Sequence, residues 1–391
     1  MAVVVAPSPL PSPSAEGEGV LPVHTGPGTL AGRYLRQFWQ PVARSQDVVS
    51  GRAKPVRIMS QDFTLYRGES GVAHLVDFRC AHRGTQLSTG WVEGECIRCF
   101  YHGWKYDQTG QCVEQPAEDA GFAAKIRIRA YPVREHIGLI WAFLGDGEPP
   151  AFPPVPAFEG EGVLEVMAEP FPCNWFQSYE NTFDEVHVAF VHREGGSHSG
   201  IYDLPIVSAE ETDYGVKRLG TRANGQVRVS QHFLPNATRV IVPPMAGMEG
   251  VGGWLDTYLV LVPVDDENHI AFVPQFARIA AADQRAFRAQ RERYQQRLAE
   301  APLSSDVAQD VFEGKRSIHE VQHPDMVVVQ DKVAQAGQGR IADREAERLG
   351  RSDAAIILLR KIYARELRAL AGGRPIKRWA CADAAPPTLG F

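Results

Sequence analysis

The chain has 391 residues, 44% of them hydrophobic and 23% charged, with a formal net charge of −6. That length supports two domains with separate cores, and so mild an acidic balance offers no basic footprint to nucleic acid. No apolar run approaches the roughly 18 residues of a bilayer span, and the start Met1-Ala-Val-Val-Val-Ala-Pro lacks the basic opening of a signal peptide, so neither a membrane partner nor secretion is expected.

Along the chain, residues 1–26 read as a flexible tail whose Pro, Ser, Gly and Ala bury too little apolar surface to order themselves. A short helix follows at Leu30–Phe38, where Leu30, Tyr34 and Phe38 share a face. The rest of 27–150 reads as a small all-β domain: Val56–Met59, Phe63–Tyr66, Ala73–Phe78 and Gly138–Phe143 alternate with period two between Gly-rich turns. The Pro-rich run from Gly145 to Pro154 reads as a linker. In the larger domain, 151–391, strands are expected at Val163–Pro170, Val216–Leu219, Gln226–Phe233, Arg239–Val242, Asp256–Val262 and Ile270–Gln275. Helices are expected there at Asn174–His192, Ala281–Ala299, Pro324–Ala336 and Ala354–Ala371. Antiparallel strands with helices grouped apart make the fold α+β.

Two loops carry unusual chemistry. Cys80-Ala-His82-Arg83-Gly84 and Cys99-Phe-Tyr101-His102-Gly103-Trp104 each offer one thiolate and one imidazole beside a Gly, with sixteen residues between His82 and Cys99. Such loops, at the tips of two hairpins, can clamp a Rieske-type [2Fe–2S] centre, with two Cys on one iron and two His on the other. Imidazoles in place of thiolates leave less negative charge and raise the potential from roughly −400 mV to between about −150 and +300 mV. The same atoms suit a structural zinc, and Cys96-Ile-Arg-Cys99 is itself a zinc-ribbon spacing, although every pair here mixes Cys with His. Ordinary buried thiols are the third reading. Six scattered Cys are too few for a disulfide framework, and thiolate ligands in a reducing compartment, the cytoplasm, explain them better.

The stretch from Asn181 to His192 holds Asp184, His187 and His192. Two neutral imidazoles plus one carboxylate make the facial triad of a non-haem Fe(II) oxygenase, leaving positions open for O2 and substrate. At about 100° per residue, His187 and His192 would point roughly 140° apart on a straight helix. The helix must therefore end, or open into a wide turn, between them, whereas Asp184 and His187 share a face. As bare pattern, two His five apart near an Asp are more often surface or core side chains than ligands. A third ligand must come from elsewhere. In the helix opening at Pro324, Asp331 sits among Val327, Val328 and Ala334 and needs a partner if buried; a solvated helix Asp is the alternative. Arg228, Ser230 and His232 alternate on one strand face, which either lines a pocket, where Arg would fork onto a carboxylate, or faces solvent. No Gly-rich dinucleotide fingerprint follows a strand, so hydride chemistry is not expected of this chain.

In the HRG and HGW tripeptides of the two loops, in Asp184-x2-His187-x4-His192, and in Gln330-Asp331 followed by Gly339-Arg-Ile-Ala-Asp343, the chain resembles the Rieske non-haem iron oxygenases, in particular the phthalate-dioxygenase and aromatic O-demethylase group. The resemblance covers nearly everything after the tail, departing at Ala81, where Pro is frequent, and at the extra Cys96. It implies Cys80, His82, Cys99 and His102 as Rieske ligands, because the family motif ends C-x2-H-G-W, and leaves Cys96 a bystander. It implies His187, His192 and Asp331 as ligands of a mononuclear Fe(II), with Asp325, Asp343 and Glu320 as fallback acids. Asp184 becomes the catalytic bridge, hydrogen-bonded to an iron-ligating His and to a Rieske His of the next subunit in a homotrimer. The implied function is a terminal oxygenase component. A separate NAD(P)H-dependent reductase, with or without a ferredoxin, supplies electrons, and O2 hydroxylates or O-demethylates an aromatic, carboxylated or methoxylated substrate. cis-Dihydroxylation and N-dealkylation use the same metals. From other classes, the rival readings are a Rieske electron carrier without oxygenase activity and a zinc-stapled binding module.

Overall fold

A computed structural model describes residues 21–119, 121–153, 158, 160–193, 203–242, 254–380 and 389–390. The expected tail up to residue 20, and Pro154 at the end of the expected linker, lie outside the described residues. Among the described residues, no helix is long and apolar enough to cross a membrane.

Helix α1 (Leu30–Leu35) opens the N-terminal part, with the Thr29 hydroxyl accepting from the Gly32 N–H at its start. It stops short of the expected Phe38 because the buried Arg36 guanidinium ties the turn to the carbonyls of Thr25, Gly32 and Met59. Eleven strands follow: β1 (Trp39–Arg44), β2 (Arg52–Ile58), β3 (Gln61–Arg67), β4 (Ala73–Asp77), β5 (Trp91–Glu93), β6 (Cys96–Arg98), β7 (Lys105–Tyr106), β8 (Cys112–Glu114), β9 (Ala130–Tyr131), β10 (Val133–His136) and β11 (Leu139–Phe143). They form three antiparallel sheets, ordered β1-β11-β10, β2-β3-β4-β9 and β5-β6-β7-β8. The loop at Cys99 is a true hairpin tip between β6 and β7. The loop at Cys80 is not, because β4 and β5 belong to different sheets; an isolated bridge between Arg79 and Gln86 closes it instead.

The C-terminal part is built on one antiparallel sheet. Its strands are β12 (Val163–Phe171), β13 (Ile206–Glu211), β14 (Gly215–Thr221), β15 (Val227–Phe233), β16 (Ala237–Val242), β17 (Leu255–Pro263) and β18 (His269–Ala277), in the order 12-18-17-16-15-14-13, with the short β19 (Leu389–Gly390) on β15. Around it stand α2 (Trp175–Phe183), α3 (His187–Val191), α4 (Ala281–Glu300), α5 (Ser304–Phe312), α6 (Met326–Ala336) and α7 (Ala354–Ala371). The α+β arrangement is as the periodicities predict. The single helix expected over Asn174–His192 is two. The Asp184 carboxylate accepts from the Val186 and His187 N–H groups, at 2.7 and 3.3 Å, so that a local side-chain turn replaces the helical ladder. Likewise α6 starts at Met326, not Pro324, because Asp325 caps it by accepting from the Val328 N–H.

One hydrophobic core runs through both parts: Tyr34, Trp39, Phe63 and Trp141 pack in the same cluster as Trp175, Tyr179, Phe272 and Tyr363. The Cys/His loops sit over a second, smaller core of Tyr66, Val76, Leu87, Ile97, Trp104 and Tyr106. Polar links cross the seam. The β2–β3 turn, with Met59 and Ser60 at φ of +49° and +60°, donates its N–H groups to the Pro263 and Val264 carbonyls. Fully buried, Asn236 donates to Gln40 Oε1 at 2.8 Å and to the Leu261 carbonyl at 2.9 Å. Asn236→Ala leaves buried acceptors without donors, at a cost of about 1–3 kcal/mol. The expected outcome is a lower urea midpoint for both parts together, and a midpoint equal to wild type would show that this link contributes nothing.

Two candidate metal centres

The two Cys/His loops share one local geometry. In each, the Cys carbonyl accepts from the N–H of the Gly four residues on, Gly84 at 2.9 Å and Gly103 at 3.1 Å. Both Gly lie in the left-handed region, at φ of +75° and +76°, which a side chain would strain. The turns bring the His82 and His102 rings to 4.4 Å between centroids, and Trp104 stacks on His82 at 4.5 Å and 8°. Cys80 and Cys99 are both buried. Burial pushes the Cys80 thiol up, against the lowering effect of the Tyr106 hydrogen bond. Among the described residues, the one group of three or more Cys, His or acidic side chains whose donor atoms all lie within 4.8 Å of one another is elsewhere in the fold. Two Cys and two His presented by paired loops suit a Rieske-type [2Fe–2S] cluster. Cys96 lies on β6, with Lys105, Asp107 and Glu93 as its charged surroundings.

Sequence reasoning missed Tyr106. Its hydroxyl accepts from the Ala81 N–H at 3.2 Å and stands 3.2 Å from Cys80 Sγ, to which it can donate once the sulfur is a thiolate. The signal was its place two residues after Trp104, on the strand that leaves the second loop.

The group within 4.8 Å is His187, His192 and Asp331. His187 opens α3 and His192 caps its end, so the helix does stop between them, at Val191. Their rings lie 5.5 Å apart at 76°. Each Nδ1 is engaged, His187 with the Asp184 carbonyl at 2.9 Å and His192 with Gln330 Oε1 at 3.0 Å. Asp331 Oδ1 stands 3.5 Å from His192 Nε2, and Asn181 donates to it at 3.5 Å. Burial lowers the His187 pKa. For His192, burial acts the same way but the Asp331 carboxylate outweighs it, and the pKa rises. Burial would raise Asp331, yet His192 and His187 bring it below the usual range. Two nitrogens and one oxygen converging in a buried place fit a divalent iron. The Asp184 carboxylate lies 3.9 Å from His187 Nδ1, beyond hydrogen-bond reach, and its Oδ1 accepts from the backbone turn instead. Of the fallback acids, Asp325 caps α6, Asp343 accepts from the Glu345 N–H and Glu320 lies in a short 3-10 turn; none belongs to the group.

Arg228, Ser230 and His232 share a buried face of β15. Arg228 reaches Glu185 at 3.4 Å, Ser230 accepts from Arg218, and His232 stacks on Phe183 with its Nδ1 3.0 Å from the Thr238 hydroxyl. Glu185 also pairs with Arg218 and, at 2.8 Å, with Arg222. Burial would raise Glu185, but the three guanidiniums hold it at about 2. Burial, then the Arg218 charge, keep His232 well below the ordinary imidazole range. Glu185, Arg218 and Arg222 were not foreseen, although Arg218 and Arg222, flanking Gly220 in strand alternation, carried the signal.

Comparison with known proteins gives a consistent result. The family model for the Rieske [2Fe-2S] domain matches residues 38–132. The chain is 31% identical over 364 residues to the oxygenase subunit of 5,5'-dehydrodivanillate O-demethylase from Sphingobium sp., covering 90% of this chain and 80% of that protein. It is 33% identical over 374 residues to phenoxybenzoate dioxygenase subunit alpha of Ectopseudomonas oleovorans, covering 85% and 81%. Its fold is similar to Pseudomonas putida CBB5 NdmA with caffeine, at a TM-score of 0.68 and 20% identity over 93% of this chain and 99% of that one.

With Cys80 as a cluster ligand, Tyr106→Phe removes a hydrogen bond that favours the reduced, more negative cluster. The Rieske potential then falls by tens of millivolts, since about 1 kcal/mol of hydrogen-bond energy corresponds to roughly 40 mV in a one-electron couple. Redox titration followed by electron paramagnetic resonance checks this, and an unchanged potential removes Cys80 Sγ from the ligand set.

Proposed function

The chain belongs to the Rieske non-haem iron oxygenases, and from that premise we propose that it is the terminal oxygenase component of a multicomponent system, oxidising an aromatic substrate that bears a carboxylate or methoxy group. The observation that carries this reading is the convergence of His187, His192 and Asp331 in a chain that also holds the paired Cys/His loops. Cys80, Cys99, His82 and His102 would hold the cluster, and His187, His192 and Asp331 the mononuclear iron. When bound, the cluster supplies one-electron transfer and the iron supplies O2 activation. The chain's own work is to orient these ligands and to hold both Nδ1 protons away from the iron side. Electron supply falls to a separate reductase, with or without a ferredoxin, as the family arrangement implies.

The substrate reading has two supports. The relatives' names include a phenoxybenzoate and a dehydrodivanillate, both acids. In this chain, three guanidiniums face one carboxylate beside His187 and His192. Among the described residues, Arg218 Nε, Arg228 Nε and His232 Nε2 are buried without a hydrogen-bond partner. That surplus of charge and donors suits a substrate carboxylate.

For assembly we favour a homotrimer in which Asp184, 28% exposed on its side chain, bridges to a Rieske His of the next subunit. The exposed Trp91, Phe100 and Tyr101 near His102 support a covered surface there. The cytoplasm is the proposed location, supported by the free thiols of Cys80, Cys96, Cys99, Cys112 and Cys173.

Replacing His187, His192 or Asp331 with Ala is expected to abolish turnover and mononuclear iron while the Rieske absorbance survives, as read by metal analysis and the visible spectrum. A fully active Asp331→Ala enzyme would sink the triad. Arg228→Gln is expected to raise KM for aromatic acids about tenfold or more, the loss of one charged hydrogen bond, with KM for neutral methoxyarenes little changed. O2 uptake with a surrogate reductase measures both, and equal effects on acids and neutral substrates would remove Arg228 from the substrate pocket.

A further inference from the structure

We propose that Gln330 is a positioning residue of the mononuclear site, whose side-chain carbonyl holds the His192 imidazole in the tautomer and orientation that leave Nε2 free for metal. The inference rests on the reading of His187, His192 and Asp331 as metal ligands. Gln330 and Asp331 are consecutive on α6 and project about 100° apart, so they cannot address the same atom. They meet His192 at opposite edges instead: Gln330 Oε1 lies 3.0 Å from Nδ1, and Asp331 Oδ1 lies 3.5 Å from Nε2. One helix thus grips both nitrogens of a ring carried by another.

A carbonyl oxygen only accepts. Nδ1 therefore carries the proton, and the lone pair sits on Nε2, on the side where Asp331 and His187 converge. His187 reaches the same state by a different route, donating from Nδ1 to the backbone carbonyl of Asp184 at 2.9 Å. The backbone route survives any change of side chain. The His192 route depends on the residue at 330, so the two ligands are unequally protected against substitution.

The surroundings show how Gln330 is held. It is 8% exposed. The rotation of α6 is fixed two residues further on, where the fully buried Lys332 donates to Glu169 and to the Ser304 and Ser305 hydroxyls, at 2.7 and 3.0 Å for the latter two. Gln330 also borders a cavity of about 200 Å³ between α3 and α6, with Phe190, Val191, Val333 and Ala334 in its wall. The amide therefore stands between the metal ligands and this cavity, and no packed apolar side chain substitutes for its oxygen.

The test uses the full chain with its Rieske cluster in place and its mononuclear iron removed, titrated with Co(II) and followed by ligand-field absorption. Gln330→Leu is expected to weaken Co(II) binding by roughly 10–100-fold, the usual effect of losing such an outer partner, and to change the Co(II) spectrum. Gln330→Glu, which keeps an acceptor at the same place, is expected to bind at least as tightly as wild type. Val333→Ala, which loosens the same cavity wall without touching His192, is expected to bind as wild type does. The Rieske absorption stays constant throughout. Wild-type affinity and spectrum in Gln330→Leu would overturn the proposal. So would an equal loss in Gln330→Glu or Val333→Ala, because the effect would then be packing of α6. If wild type takes up no Co(II), or His187→Ala takes it up unchanged, the metal-site reading falls and this proposal falls with it.

Discussion

Glu185 takes a carboxylate to a place with almost no solvent, where Arg218, Arg222 and Arg228 surround it. Alone there it would not stay ionised; Arg218 and Arg222 are its close partners, and Arg228 stands farther off at 3.4 Å. Because it stands two residues before His187, its docking on β14 and β15 anchors the turn that the Asp184 carboxylate closes between α2 and α3. Gly220 is part of the constraint, since a Cβ at that position would lie 2.9 Å from Glu185 Cγ. This buried pairing anchors the turn that leads into His187 and puts the Arg218 charge beside that imidazole.

The two metal centres are assembled on different principles. Each Cys/His loop carries its ligands within a few residues of a Gly turn, so local backbone geometry places them. The second centre draws on α3 and α6, which are far apart in sequence, and depends on how the helices sit against the sheet. Its order is therefore a property of packing, held by the buried Lys332–Glu169 contact and by the Glu185 set. The two differ accordingly in what disturbs them: a turn residue for the first, a distant core or strand residue for the second.

That difference also explains what is readable from sequence. The Cys80 and Cys99 loops are legible because their chemistry is contiguous, and the long helices α4 and α7 because each is an unbroken run of good helix formers. Asp331 is legible in part, as a carboxylate on an apolar helix face. The break between α2 and α3 is not, because Asn174 to His192 is a plausible helical run until the Asp184 carboxylate turns onto the Val186 and His187 N–H groups and Glu185 meets arginines more than thirty residues on. Arg218 on β14 is invisible for the same reason, as an Arg in an alternating strand reads as solvent-facing until its burial is known. The short β13 and α5 escape notice because neither carries a strong period.

The core shared between the two parts bears on descent and recombination. A cluster-bearing module transplanted from another chain would bring its own side chain to face Asn236 and its own turn to face Pro263 and Val264. A mismatch would leave buried donors or acceptors unanswered along the seam, and the hybrid would lose the continuous apolar layer that Trp39, Phe63 and Trp175 share. Exchange among such chains is therefore confined to whole proteins, or to modules that carry their seam residues with them, and drift on one side of the seam is coupled to drift on the other.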